Sequence, residues 1–195
     1  MPIILMQATK TALRQQFKAF RASMTPEDRE SRAQSIMARL AELPEVRAAR
    51  IIHTYWPSDL HQEIALKPLI RAWWAAGKIL VFPVMDASAA DGLRHVACAQ
   101  ESDLVPNAWG IEEPVCGQDV SPSDVQLVLA PCLAADRRGF RLGYGKGYYD
   151  RFLKQIQVPV VTAVFQPALV AELPVDLHDI PVQILISDEE TLRFL

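Results

Sequence analysis

Between Arg141 and Arg151 the chain reads RLGYGKGYYDR. Gly143, Gly145 and Gly147 fall on alternate positions, Lys146 sits among them, and Tyr148, Tyr149 and Asp150 follow at once. Glycine lets a backbone pass close to a ligand and take positive φ where needed. The apolar run Val125–Ala130 lies upstream and reads as a strand buried on both faces, and a helix is expected from about Gly147 to Gln155. A glycine loop between strand and helix lies where free N–H groups and the positive helix end favour phosphate. Arg141, Lys146 and Arg151 add charge that backbone dipoles cannot supply, so the stretch reads as a polyphosphate cradle. It is not a P-loop, because Phe140 stands where the first glycine belongs and Gly147 follows Lys146 in place of Ser or Thr. It does not fit the GxGxxG dinucleotide fingerprint either. The RNA-recognition signature that Arg138-Gly139-Phe140 begins is broken by Arg141, Leu142 and Gly143. The plain alternative is a glycine-rich surface turn with solvated charges, and the density of basic and aromatic residues weighs against it.

The elements that must position this loop can be read from periodicity. Thr9 to Ser23 is expected to be helical, with Leu13, Phe17 and Phe20 on one face and a basic stripe of Lys10, Arg14, Lys18 and Arg21 beside it. A second helix starts at Thr25-Pro26-Glu27-Asp28, where Thr25 suits the N-cap and Pro26 the first helical position, and ends near Leu43-Pro44. Strands are expected at Arg50–Trp56, Ile79–Pro83, Leu93–Cys98, Val158–Val164 and Val182–Ile186, and a helix at Ile64–Ala76 that Gly77 ends. Alternating strands and helices predict an α/β/α sandwich around a mostly parallel sheet. With 195 residues and no composition shift, the expectation is a single domain over 1–195, the Pro-rich segment around Pro106–Pro122 being surface loops.

Composition narrows the function classes. Net charge is −3, so an anion site must be local and nucleic acid is not an expected partner. The three cysteines form no CxxC pair, which argues against a disulfide framework or structural zinc. The apolar start at residues 2–6 is too short for a signal sequence, and no run approaches a membrane span. A cytoplasmic monomer that acts on small molecules, with no membrane partner, is the expectation.

Ala130-Pro131-Cys132-Leu133-Ala134-Ala135-Asp136-Arg137-Arg138-Gly139-Phe140 and the RLGYGKGYYDR that follows resemble the signature of the 5-formyltetrahydrofolate cyclo-ligase (5,10-methenyltetrahydrofolate synthetase) family, close to "vPglaFDrrGxRLGyGxGyYDr". Lys10 and Arg14, Glu63, Gly77-Lys78, Pro83, Trp109-Gly110-Ile111-Glu112-Glu113-Pro114 and Leu177-His178-Asp179-Ile180-Pro181-Val182 fall in the family's order across nearly the whole chain. The resemblance implies a sugar-isomerase/CoA-transferase-like fold and an ATP- and Mg²⁺-dependent closure of 5-formyltetrahydrofolate to 5,10-methenyltetrahydrofolate, with ADP and phosphate released. It implies that Lys10, Arg14 and the loop Arg141, Leu142, Gly143, Tyr144, Gly145, Lys146, Gly147, Tyr148 and Tyr149 bind ATP. Asp150 is implied to hold Mg²⁺. Trp56, Glu63, Trp109, Tyr144 and Tyr148 are implied to face the folate, with Glu63 on the pterin. Cys132, Ala135, Ala65-Leu66, the extra Leu60-His61 and Gln183 depart from the pattern, Gln183 at a position where many members carry an Asp near Mg²⁺. Two other readings use the same fold: an ATP-independent isomerase or CoA transferase, and a non-catalytic nucleotide- or RNA-binding relative.

Overall fold

The computed structural model describes residues 9–194. The apolar start at 2–6 lies outside them. Five helices are present among these residues: α1 (Lys10–Ser23), α2 (Pro26–Glu42), α3 (Pro44–Ala48), α4 (Lys67–Ala75) and α5 (Tyr148–Leu153). The side chains of Thr9 and Thr25 accept from the backbone N–H groups of Ala12 and Asp28, so each of the first two helices starts on a threonine cap. In chain order the strands are β1 (Ile51–His53), β2 (Ile79–Met85), β3 (Leu93–Cys98), β4 (Leu104–Pro106), β5 (Glu112–Pro114), β6 (Gln118–Asp119), β7 (Leu127–Ala130), β8 (Ala134–Asp136), β9 (Arg141–Leu142), β10 (Val160–Ala163), β11 (Leu169–Val170), β12 (Ile184–Ile186) and β13 (Thr191–Arg193).

The main sheet has eight strands in the order β13-β12-β10-β7-β1-β2-β3-β6. β12, β10, β7, β1 and β2 run parallel, β13 at one end and β3 near the other run against them, and β6 pairs antiparallel with β3 at the far edge. Alternation along the strands divides the core in two. Ile52, Leu127, Leu129, Val161, Ile184 and Ile186 face α2, α3 and α4. Val128, Ala130, Val160, Val164 and Leu185 face the opposite layer, built from α5, Phe17 of α1 and the small sheet β11-β8-β9. Each fully buried aliphatic contributes roughly 1.5–3 kcal/mol. The architecture is therefore a three-layer α/β/α sandwich. No helix among the described residues is long and apolar enough to cross a membrane.

Several elements differ from expectation. The first strand ends at His53 in place of Trp56, and the helix expected from Ile64 starts at Lys67. Pro68 suits that start, since proline fits a helix's first turn, where its missing N–H would be unpaired anyway. Ile64 and Leu66, 1% and 0% exposed, are instead anchored in the core by an irregular segment. Helix α5 is six residues long, shorter than expected.

A candidate active site at the switch point of the sheet

β1 and β7 are neighbours, paired Ile52 with Leu127 and His53 with Val128. From β1 the chain moves outward through α4 to β2, and from β7 it moves the other way to β10 and β12. The strand order thus reverses between β1 and β7, and ligands of open α/β sheets bind at such a point, beyond the carboxyl ends of the strands. The two segments that leave there are 54–66 after β1 and 131–147 after β7, which carry Glu63 and the glycine loop.

The loop is built to leave its backbone free. Gly145 takes φ +99°, and a Cβ there would lie 3.1 Å from Cζ of Arg14, so glycine lets the arginine lie flat on the chain. Among the described residues, the N–H groups of Gly143 to Tyr149 make no internal hydrogen bond. With only six residues in α5, the helix dipole counts for less than the sequence argument supposes, and N–H groups and cations carry the site. Arg141 is buried, its side chain 3% exposed. Its Nη1 donates to Asp150 Oδ1 at 3.1 Å, its guanidinium lies 5.9 Å from the Tyr149 ring centre, and Nε and Nη2 are left without partners among the described residues. Tyr149 Oη is likewise buried and unpartnered. Buried donors are rarely left unmade, so these atoms suit an anionic ligand. The N–H of Ile180 donates to Asp150 Oδ1 at 3.4 Å, and Oδ2 makes no hydrogen bond among the described residues, which suits a hydrated cation.

Helix α1 lays its basic stripe along this loop. Arg14 Nε donates to the Gly143 carbonyl at 2.9 Å. Lys18 lies over the Tyr144 ring, 5.4 Å from its centre. Arg21, 3% exposed, donates to Tyr144 Oη at 3.2 Å and to the Cys132 carbonyl. Lys10 donates to Asp176 at 2.7 Å and to Asp179. Burial works against its ammonium, but the two carboxylates outweigh that and raise its pKa. Those two carboxylates and His178 bring ligand atoms within 4.8 Å of one another.

Glu63 stands opposite. Tyr144 Oη donates to Glu63 Oε1 at 2.7 Å, and the Ser58 N–H donates to Oε2 at 2.9 Å. The extra Leu60-His61 forms part of a tight turn, with Gln62 at φ 49°, and the His61 ring packs edge-on against Tyr144 at 5.7 Å. Burial, then the neighbouring Glu63 carboxylate, pushes the Tyr144 hydroxyl well above its ordinary pKa.

The structure thus brings Arg14, Arg141, Gly143, Tyr144, Gly145, Tyr149 and Asp150 together on and around the loop, and ties Glu63 to them through Tyr144. Lys146 is exposed beside them. Tyr148 turns elsewhere: its ring lies against Gly92 and 5.2 Å from the Arg151 guanidinium. Trp109 is 68% exposed, on a turn whose Gly110 lies beside Leu60 of the Glu63 segment. Trp56 is 4% exposed and packed 5.8 Å from Trp74 in the α4-side core, with its Nε1 left without a partner among the described residues. Gln183 is occupied elsewhere, its Oε1 accepting from the Val160 N–H at 2.9 Å. Arg21 was read from the sequence only as the end of the basic stripe beside Phe17 and Phe20, and was given no place at the site.

Beneath the loop runs a buried polar line. Asp91 Oδ2 meets His95 Nε2 at 3.1 Å, and His95 Nδ1 meets His53 Nε2 at 3.1 Å. The line ties to α5 through Gln155, which donates to Asp91 Oδ2 at 3.2 Å, and Arg151, which donates to the Asp91 carbonyl at 3.0 Å. His53 is 0% exposed, with the Tyr149 and Phe152 ring centres at 5.8 and 4.6 Å. Burial, then the adjacent His95, pushes its pKa well below the ordinary value.

A doubly wound sheet with a cationic glycine loop at its switch point is the architecture of α/β enzymes that handle phosphorylated ligands. The model of the 5-formyltetrahydrofolate cyclo-ligase family matches residues 6–188, and the chain belongs to that family. The 5-formyltetrahydrofolate cyclo-ligase of Escherichia coli (strain K12) is 33% identical over 172 residues, spanning 86% of this chain and 93% of the relative. That of Haemophilus influenzae is 31% identical over 175 residues, spanning 87% and 92%. The solved structure of Aquifex aeolicus 5,10-methenyltetrahydrofolate synthetase superposes with a TM-score of 0.82 at 31% identity, covering 94% of this chain and 92% of that one. The Mycoplasma pneumoniae 5,10-methenyltetrahydrofolate synthetase, at 22% identity and TM-score 0.74, shares the fold. The protein is an enzyme of this family.

Proposed function

We propose that the enzyme uses ATP to close 5-formyltetrahydrofolate to 5,10-methenyltetrahydrofolate, releasing ADP and phosphate. The observation that carries the reading is the hydrogen bond from Tyr144 to Glu63, which joins the anion loop to a carboxylate suited to a pterin at the switch point. The free N–H groups of Gly143 to Tyr149, with Arg14, Arg141 and Lys146, hold the triphosphate. Glu63 accepts from the amino and ring N–H groups of the pterin, so the formyl group is presented to the γ-phosphate. The formyl oxygen attacks that phosphorus and ADP leaves. N10 then attacks the activated formyl carbon, and phosphate departs as N10 gives up its proton. Positioning and charge neutralisation are the protein's part of phosphoryl transfer. Asp150 is the residue to hold Mg²⁺, which supplies charge neutralisation on the phosphates.

Purified enzyme with Mg²⁺, ATP and 5-formyltetrahydrofolate is expected to form the methenyl chromophore in the near ultraviolet. The Lys146→Ala variant, which removes an exposed cation and leaves the fold alone, is expected to lose on the order of 10²-fold in kcat/KM. Folded protein that binds ATP and forms no chromophore would leave a nucleotide-binding relative with another substrate.

A further inference from the structure

Arg21 raises a problem of charge. A guanidinium taken out of water costs several kcal/mol unless it is paired. Arg21 is 3% exposed, yet no carboxylate among the described residues forms a salt bridge with it. Its partners are a carbonyl, Cys132 O, and a hydroxyl, Tyr144 Oη, while Nε has none. The acid that answers its charge is one hydrogen bond further on: Tyr144 Oη donates to Glu63 Oε1.

The direction of these bonds is fixed by chemistry. A guanidinium only donates, and a tyrosine hydroxyl has a single proton. With Arg21 donating to the Tyr144 oxygen, that proton has one place to go, the Glu63 carboxylate. Glu63 is held from both sides, by Tyr144 on Oε1 and by the Ser58 N–H on Oε2, and neither oxygen accepts a further hydrogen bond among the described residues.

We propose that Arg21 is a positioning residue for the folate, a relay through Tyr144 that orients Glu63 to receive a ligand face presenting two adjacent N–H donors. The inference rests on the folate reading of the site. Arg21 does not touch the triphosphate in this scheme: Arg14, on the same helix, contacts the loop backbone at Gly143, whereas Arg21 contacts the hydroxyl of the residue that follows. Loss of Arg21 should therefore separate the two substrates.

The test is a double-mutant cycle of Arg21→Gln and Tyr144→Phe, read as KM for 5-formyltetrahydrofolate, KM for ATP and kcat, with Arg21→Lys as the conservative variant. Arg21→Gln is expected to raise the folate KM at least ~10-fold, as for loss of a charged hydrogen bond, and to leave the ATP KM within about twofold. Arg21→Lys should recover part of that loss. In the Tyr144→Phe background the Arg21→Gln change should add less than about twofold, because the relay is already cut. An unchanged folate KM, an ATP KM that rises by the same factor, or full additivity in the cycle overturns the proposal. Should Arg21→Gln fail to fold, Tyr144→Phe decides the matter, since it removes the middle of the relay and leaves the Arg21 bond to Cys132 in place. A folate KM that does not move in that variant also overturns the proposal. Wild-type enzyme that forms no methenyl product instead refutes the reading of the activity on which the relay's substrate depends.

Discussion

Replacing His53 by phenylalanine should change how the fold responds to acid. His53 lies wholly buried between His95, Tyr149 and Phe152, and burial and His95 both resist its protonation. In the unfolded chain it titrates near its ordinary value of 6.5. Below that pH the unfolded state binds a proton that the folded state refuses, so this residue makes stability fall as pH falls. The slope is about 1.4 kcal/mol per pH unit. Taken about 1.5 units below 6.5, to roughly pH 5, the loss is about 2 kcal/mol, or some 4–8 °C in Tm for a chain of this size. A phenyl ring at that position binds no proton in either state. Thermal melts of both proteins between about pH 7.5 and 5 should therefore diverge, the wild type losing that much more than His53→Phe while the carboxylate contributions cancel. Parallel Tm profiles for the two proteins would refute the reasoning, because they would mean that folded His53 accepts its proton as readily as the unfolded chain does.

Two further outcomes follow from the same geometry. Gly92→Ala places a Cβ 2.6 Å from the Tyr148 ring at φ +82°, whereas Gly77→Ala carries a similar φ of +76° with nothing within 4 Å. Urea unfolding should show about 1 kcal/mol lost at Gly77 and a clearly larger loss at Gly92, the excess measuring how tightly the Asp91-Gly92 turn holds the start of α5. Glu63→Gln keeps the shape but replaces an acceptor oxygen by a donor, so the folate KM should rise about 10- to 100-fold with the ATP KM unchanged in steady-state kinetics.

What the sequence made readable is what depends on neighbours in the chain. The spacing of Leu13, Phe17 and Phe20, the Thr25-Pro26 start and the unbroken apolar run before the glycine loop all specify their elements locally. The loop's residue types announce an anion chemistry by themselves, whereas Glu63 and Asp150 were singled out by their places in the family's pattern. Other features depend on partners distant in sequence. Arg21 looked like one more solvated cation of a stripe, and only the packing of α1 against the segment after β7 buries it. β13, three residues long and partly exposed, is stabilised by pairing with β12 and has no pattern of its own. The burial of Trp56 on the α4 side was legible too. Residues 52, 54 and 56 share one face of an extended chain, and Ile52 already points to the α4 side.

The contacts of α1 have a consequence for how the enzyme comes into being. Arg21 and Arg14 reach partners 111 to 129 residues away, and Lys10 reaches Asp179 across 169. At roughly 5–20 residues per second of synthesis, about 10–30 s pass between the emergence of α1 from a ribosome and that of the last segment it grips. Through that interval an exposed helix with a phenylalanine-bearing face waits for a surface that has not yet been made. The nascent chain therefore carries no working crevice. The contacts of α1 with the segments after β7 and β11 can form only late in synthesis.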